Sequence, residues 1–183
     1  MAAKRSAVGA YVKKRRSSRN ASLLILILGT AALIAADQFT KFLVRANLTY
    51  FSHVSLLGIV QIVNINNTGS VFGLLRGTQP FLIELGLTAA AVLLVAYLHF
   101  ERPIHKISAM IIIAGILGNT IDRISRGMVT DFIYIKPWPA FNLADALLFT
   151  GTVFLIASLI LPQKEHLLHS RQDKHQRKKK SKS

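Results

Sequence analysis

Five acidic side chains stand at or near the ends of long uncharged stretches, where carboxylates are unusual. They are Asp37, Glu84, Asp122, Asp131 and Asp145. Acids within or next to hydrocarbon are costly, so such residues are candidates for function by default. Two carboxylates that share one proton could act as general base and general acid on water and a carbonyl group. A relay of ions or protons through a membrane is the other chemistry that such acids favour.

Other reactive groups give no competing pattern. The chain has no Cys, so a disulfide framework, a thiolate nucleophile and a Cys-based metal site are excluded. The six His are scattered, with three in the C-terminal segment, and no Ser/His arrangement is evident. The sequence therefore indicates neither a metal nor a cofactor.

Structural interpretations compete with the functional one for three of the acids. Asp37 and Lys41 are one helical turn apart, which also favours a simple i,i+4 ion pair. Glu84 is interpreted first as a marker of the membrane interface. Asp122 shares a helix face with Asn119, so a polar clamp between helices is as well supported as catalysis.

Helix geometry separates Asp122 from Asp131. The two are nine residues apart, about 2.5 helical turns, so on one unbroken helix they would face opposite ways. Only one of them can therefore share a site with Asp145, unless the helix breaks at Gly127. Asn142 and Asp145 are three residues apart and share one face at the start of the last helix.

Four apolar stretches are positioned to carry these acids. Of all residues, 51% are apolar and 17% charged, with a mean hydropathy of +0.41. The stretches predict membrane-spanning helices at about 21–43, 80–100, 104–123 and 142–162, close to the ~20 residues that a bilayer core requires. Helices of a soluble bundle would show a polar face, and Leu23–Leu28 has none.

The net charge of +15 is concentrated in two tails. Residues 1–20 hold seven Lys/Arg and no acid, and residues 163–183 hold eight Lys/Arg and two acids. This distribution excludes a disordered chain and argues against a basic globular nucleic-acid binder. With the turn at 101–106, one side of the membrane holds 17 of the 23 basic residues. We therefore expect both termini in the cytoplasm, in contact with anionic lipid, and all five acids at the outer side.

A cleavable signal peptide is the alternative for the N-terminal region. A basic segment precedes the first apolar stretch, and the small residues at 31–36 resemble a cleavage site. Cleavage there would leave three spans and move the Lys-rich C-terminal tail outside. Retention of the first span is therefore the preferred interpretation.

The outer segments have a different composition from the spans. Between about 46 and 79, the β-branched run Ile59–Ile65 predicts a strand and Asn66–Gly69 a turn. We expect a small β cradle there, on the outer membrane face. The segment 132–141 contains two prolines and two interfacial aromatic residues, which predicts a loop at the membrane surface. The tail from 163 is predicted to be disordered after its first turns.

Five short motifs, in this order along the chain, resemble those of the bacterial lipoprotein signal peptidases (signal peptidase II). Each motif is weak alone, but their order on four predicted spans is specific. The motifs are Asp37-Gln-Phe-Thr-Lys41, Asn67-Thr-Gly-Ser-Val-Phe72, Gly118-Asn-Thr-Ile-Asp-Arg123, Val129-Thr-Asp-Phe132 and Phe141-Asn-Leu-Ala-Asp145.

The resemblance implies a function and a set of site residues. It implies an aspartic endopeptidase of the bacterial inner membrane that cuts a prolipoprotein just before a diacylglyceryl-modified cysteine, without a cofactor. The family's catalytic pair falls on Asp131 and Asp145, and Asp122 matches a further acid that is not catalytic. The supporting polar residues of the family fall on Asp37, Lys41, Asn67, Asn119, Arg123 and Asn142.

Two features depart from the family pattern. Only 13 residues separate Asp131 from Asp145, so the loop between them should be shorter than in many members. The long basic tails also lie outside the pattern. The prediction is a mainly α membrane protein, monomeric, with prolipoprotein and lipid but no nucleic acid as partners. An ion-translocating bundle and a structural lipid-binding membrane protein remain the alternatives, and the absence of a Gly-x-Gly-Asp motif disfavours another kind of intramembrane aspartic protease.

Overall fold

The computed structural model describes residues 2–56, 58–69 and 79–161, and shows four helices and a small antiparallel sheet. This confirms the predicted fold class. The predicted disorder of the C-terminal tail lies outside the described residues. The elements in chain order are α1 Ala2–Asn47, β1 His53–Ser55, β2 Val60–Asn67, α2 Gln79–His99, α3 Pro103–Arg126, β3 Val129–Ile135 and α4 Leu143–Ile160.

Four helical segments are long and apolar enough to cross a membrane. In α1 this segment begins at Arg19, and the helix itself already starts at Ala2, within the basic N-terminal region. The other three segments coincide with α2, α3 and α4. The exposed surfaces of the helical segments, including that of α1, carry large apolar side chains such as Phe39, Leu85 and Phe149. This is expected of helices that face lipid.

Helix α3 lies at the centre of the bundle and packs against the other three helices. Half of its apolar segment is buried, against 11% to 17% for the others. Glycines allow α3 and α4 to approach closely. A Cβ added at Gly115 would lie 2.5 Å from the Ala144 carbonyl oxygen, and one at Gly151 would lie 2.7 Å from Ile112.

Helix α3 ends at Arg126, just before Gly127, so Asp122 and Asp131 do not lie on one unbroken helix. Gly127 adopts a left-handed conformation, with φ of 69°, and its N–H donates to the Arg123 carbonyl. Glycine adopts this conformation without the steric cost of a Cβ, so it is the usual residue at a helix C-terminus. The chain therefore leaves the helix axis between Asp122 and Asp131.

The sheet has the order β1-β2-β3, with both pairs antiparallel. The predicted strand at 59–65 corresponds to β2. The interpretation of 132–141 as a loop is wrong for its first part, because β3 continues through Ile135 and pairs with β2. The backbone N–H and C=O groups of β3 form their hydrogen bonds with β2, a strand that lies far away in the sequence. The prolines that suggested a loop, Pro137 and Pro139, lie beyond the strand.

Candidate active site

Asp131 and Asp145 come together through the side chain of Asn142. Asp131 is the third residue of β3, and Asp145 lies in the first turn of α4. Asn142 Nδ2 donates to Asp131 Oδ1 across 2.7 Å, while Asn142 Oδ1 accepts from the Asp145 N–H across 3.0 Å. The Asn142 N–H in turn donates to Asp145 Oδ2 at 3.1 Å, which completes a capping box at the start of α4.

Two further asparagines bind the remaining carboxylate oxygens. Asn67 at the end of β2 donates to Asp131 Oδ2 at 2.9 Å, and Asn119 on α3 donates to Asp145 Oδ1 at 2.7 Å. Each of the four carboxylate oxygens therefore accepts one N–H. These bonds fix the orientation of both carboxyl groups from three different elements.

Burial separates the two acids. Asp131 is only 3% exposed, whereas Asp145 is half-buried. Burial raises the pKa of Asp131 from 3.8 to about 6. The hydrogen bond from Asn67 opposes this rise in pKa, and the nearby charge of Asp145 adds to it. Asp131 is therefore the more deeply buried acid of the pair, and its pKa lies above the ordinary value for an aspartate.

A completely buried lysine lies next to the pair. Lys41 Nζ forms ion pairs with Asp37 at 2.8 Å and with Asp122 at 3.1 Å, and it donates to Asn119 Oδ1 at 3.0 Å. These three contacts account for all three ammonium protons. The i,i+4 ion pair that the sequence predicts for Asp37 and Lys41 is thus present, within a larger network.

Asp37 connects this network to α4. Its Oδ1 accepts the backbone N–H of Ala144 at 2.9 Å, so it binds one of the unpaired amides in the first turn of α4. Gly118 makes this approach possible, because a Cβ there would lie 2.8 Å from Asp37 Oδ2. Asp37 therefore helps to hold the turn that carries Asp145.

Asp122 makes the contacts expected of a clamp. Besides its ion pair with Lys41, its Oδ2 accepts the backbone N–H of Thr130 at 3.3 Å. Asp122 thereby links α3 to the start of β3, one residue before Asp131. The turn at Gly127 reverses the chain, and so Asp131 rather than Asp122 comes to lie beside Asn142.

Arg123 and Glu84 have different surroundings. Arg123 is half-buried, and the charges of Asp145 and Asp131 act on its guanidinium. Its Nε has no hydrogen-bond partner among the described residues. Glu84 is exposed on α2 and takes part in no ion pair within the described part of the chain, which fits its interpretation as an interface residue.

Sequence reasoning missed two polar residues of the network. Gln38 donates to Asp37 Oδ2 and to the Gly118 carbonyl, both at 3.1 Å. Thr130 is completely buried, and its hydroxyl accepts hydrogen bonds from two arginines. Both residues stand inside the recognised motifs, next to Asp37 and Asp131, but the sequence analysis assigned neither of them a role of its own. The described residues contain no group of His or acidic side chains suited to a metal ion, and the Lys41 ammonium lies between Asp37 and Asp122.

The arrangement is suited to acid–base chemistry. A buried carboxyl group with a raised pKa and a half-buried carboxyl group are linked by one asparagine, and the Lys41 ammonium lies nearby. Such a pair can remove a proton from water and donate another to a leaving group.

The chain is similar to known proteins over most of its length. The family model described as signal peptidase (SPase) II matches residues 29–161. A lipoprotein signal peptidase of Dehalococcoides mccartyi is 37% identical over 139 residues, covering 73% of this chain and 87% of that protein. One from Moorella thermoacetica is 32% identical over 136 residues, covering 73% and 91%.

Two solved structures have a similar fold. Both are described as bacterial membrane enzymes studied by the in meso method. One has a TM-score of 0.67 at 26% identity and covers 77% of this chain and 88% of its own. The other has a TM-score of 0.68 at 25% identity and covers 79% and 95%.

Proposed function

The chain belongs to the signal peptidase II family, and we propose that it removes signal peptides from diacylglyceryl-modified prolipoproteins, cutting just before the lipidated cysteine. Membership makes it a peptidase that processes lipoproteins and a multi-pass membrane protein. The observation that carries the proposal is the link that Asn142 forms between Asp131 and Asp145.

In the proposed reaction, Asp145 is the general base and Asp131 the general acid. The half-buried Asp145 carboxylate takes a proton from water, and the resulting hydroxide attacks the scissile carbonyl carbon. Asp131, whose pKa is raised to about 6 by burial, holds the shared proton and polarises the carbonyl oxygen. When the peptide C–N bond breaks, that proton passes to the leaving amine, and the proton that Asp145 took from water then returns to Asp131, so protons balance over the cycle.

The other polar residues have positioning roles in this proposal. Asn142, Asn119 and Asn67 orient the two carboxyl groups. Two residues of α1 connect that helix to its neighbours next to the pair of acids. Lys41 binds Asn119 on α3, and Asp37 binds the Ala144 N–H on α4. The charges of Asp145 and Asp131 act on the guanidinium of Arg123. In this proposal the guanidinium is available to stabilise a negatively charged reaction intermediate.

We further propose that the enzyme lies in the cytoplasmic membrane of a bacterium as a monomer, with both termini in the cytoplasm. The excess of basic residues in the tails supports this orientation. Asp131 and Asp145 then lie near the outer face, where a precursor would present its cleavage site and its lipid. Membrane lipid surrounds the exposed apolar surfaces of the helices.

A cleavage assay in detergent tests the function. Wild-type protein should cut a diacylglyceryl-modified prolipoprotein. It should not cut the same precursor when that precursor lacks the lipid. Asp145→Asn should lose cleavage, whereas Glu84→Gln, which alters an exposed acid outside the network, should cleave normally. Equal cleavage by wild type and Asp145→Asn, or equal cleavage of the unlipidated precursor, would contradict the proposal.

A further inference from the structure

Two arginines from different helices bind the same hydroxyl oxygen. Arg45 Nη1, in the last turn of α1, donates to Thr130 Oγ1 at 3.1 Å. Arg126 Nη1, at the C-terminal end of α3, donates to the same atom at 3.3 Å. Thr130 is completely buried, so the two guanidinium groups converge on a fixed point at the end of the bundle that carries Asp131.

The described residues provide no full counter-charge for this pair. Neither guanidinium forms an ion pair with a described carboxylate. Asp122 is already bound by Lys41 and by the Thr130 N–H. Each guanidinium has five N–H donors, and Thr130 engages one from each, so most donors have no acceptor among the residues that the structure describes.

The depth of the pair in the membrane suggests the nature of that acceptor. The side chains of Phe42 and Leu43, just before Arg45, are exposed and apolar, as expected of a lipid-facing surface. Ile124, two residues before Arg126, is 64% exposed. Both arginines thus follow the last lipid-facing apolar residues of their helices. This is the level at which the hydrocarbon ends and the phospholipid phosphates lie.

We propose that Arg45 and Arg126 form a binding site for the phosphate of a phospholipid in the adjacent leaflet. The planar fork of a guanidinium matches the geometry of phosphate oxygens, and two forks that converge favour one divalent or bidentate acceptor. Thr130 supplies the fixed neutral atom that holds the forks together. The bound lipid neutralises the repulsion between the arginines, beside the strand that carries Asp131. The site does not depend on the proposed cleavage reaction.

Lipid binding to the full-length protein in a neutral detergent tests this site. Short-chain phosphatidylglycerol is titrated, and binding is followed by native mass spectrometry and by the rise in unfolding temperature. Diacylglycerol with the same acyl chains lacks the phosphate and should not bind at this site. Inorganic phosphate alone tests for a free anion. Wild type should bind one phosphatidylglycerol in preference to diacylglycerol.

Variants locate the binding. Arg45→Gln with Arg126→Gln should weaken phosphatidylglycerol binding by about tenfold or more, as expected for lost hydrogen bonds to a charged group. Lys136→Gln removes an exposed cation outside the pair and is the matched control. Arg45→Lys keeps the charge but loses the planar fork of the guanidinium, and it should bind phosphatidylglycerol with intermediate affinity. This single variant serves as the test if the double variant fails to fold.

Four outcomes would overturn the proposal. The first is equal binding by the double variant and Lys136→Gln, and the second is equal binding of diacylglycerol by wild type. The third is saturation by inorganic phosphate with the affinity of the phospholipid, which would indicate an anion site without a lipid. Wild-type affinity in Arg45→Lys would likewise reject the paired-fork geometry.

Discussion

The side-chain amide of Asn142 donates to Asp131 Oδ1 across 2.7 Å, from the residue that caps α4 to an acid on β3. The same side chain accepts the Asp145 N–H. The residue that caps the start of α4 thus also makes the contact between α4 and β3. The position of one acid relative to the other depends on this residue.

Asn142→Ser should separate the capping role from the linking role. Serine caps helices about as well as asparagine, so Asn142→Ser should keep the cap and lose only the buried amide hydrogen bonds to Asp131 and Asn119. It cannot donate an amide N–H to Asp131, and misplacement of a reacting group costs roughly 10²-fold in rate. We expect kcat to fall by about that factor. Asn142→Ala should show the same loss and also about 1 kcal/mol of lost stability. Full activity of Asn142→Ser would remove Asn142 from the positioning of Asp131.

Asp131→Asn and Asp145→Asn should each abolish turnover while the protein stays folded in the membrane. Asparagine keeps the size of the side chain but cannot hold or release the shared proton. Loss of general acid–base catalysis alone costs roughly 10²–10⁴-fold in rate. The double variant should be little worse than either single variant, because groups that act as one unit are not additive. Cleavage kinetics together with thermal unfolding measure this, and additive losses would contradict a shared unit.

Asp122→Asn should mainly lower stability. It removes one of the two charged partners of buried Lys41 and weakens the bond to the Thr130 N–H. Since Asp37 still pairs with Lys41, we expect a loss of about 1–3 kcal/mol rather than unfolding. Residual cleavage should remain measurable, unlike in Asp131→Asn. A folded but inactive Asp122→Asn, beside a normally active Asp131→Asn, would reverse the assignment of the two acids.

The pH profile should depend on Asn67. In the proposed reaction Asp131 must be protonated, and burial raises its pKa to about 6, so kcat/KM should fall as the pH rises through the alkaline limb. The macroscopic value belongs to the pair of acids. The Asn67 hydrogen bond favours the ionised form of Asp131, so Asn67→Ala should move this limb to higher pH.

Asn66→Ala is the matched control for that profile. Neighbouring residues on a strand face opposite sides of the sheet, so Asn66 points away from Asp131. Its replacement should leave the alkaline limb in place. A shift to lower pH in Asn67→Ala would contradict both the role of its hydrogen bond and the protonated state assigned to Asp131.

The proposed membrane orientation can be tested by labelling, since the chain naturally has no Cys. Ser55 lies on exposed β1 and should be on the outer side, whereas Ser181 lies in the basic C-terminal tail. A membrane-impermeant maleimide applied to intact cells should label Ser55→Cys at once. It should label Ser181→Cys only after permeabilisation. The opposite pattern would reject the orientation.

The sequence by itself determined the four helices, since long uncharged apolar runs satisfy their backbone inside a bilayer only as helices. It also put Asn142 and Asp145 on one helix face, three residues apart, which is the spacing of the cap that the structure shows. The helices and this spacing are local features, so hydropathy and short-range geometry are enough to predict them. The other supporting polar residues of the candidate site followed from the resemblance to the signal peptidase II family and not from local geometry.

Only the tertiary structure decided which acids meet. Helix geometry left Asp122 and Asp131 as alternatives, and only the family resemblance favoured Asp131; in the structure the left-handed turn at Gly127 brings Asp131 to Asn142 and leaves Asp122 with Lys41. Residues 132–135 of β3 were predicted as a loop from the prolines that follow them, and their partner β2 lies more than 60 residues earlier in the chain, so no local pattern indicates the pairing. The convergence of Arg45 and Arg126 on Thr130 left no pattern in the sequence either. Contacts between residues so far apart depend on how the helices pack, and no local periodicity encodes that packing.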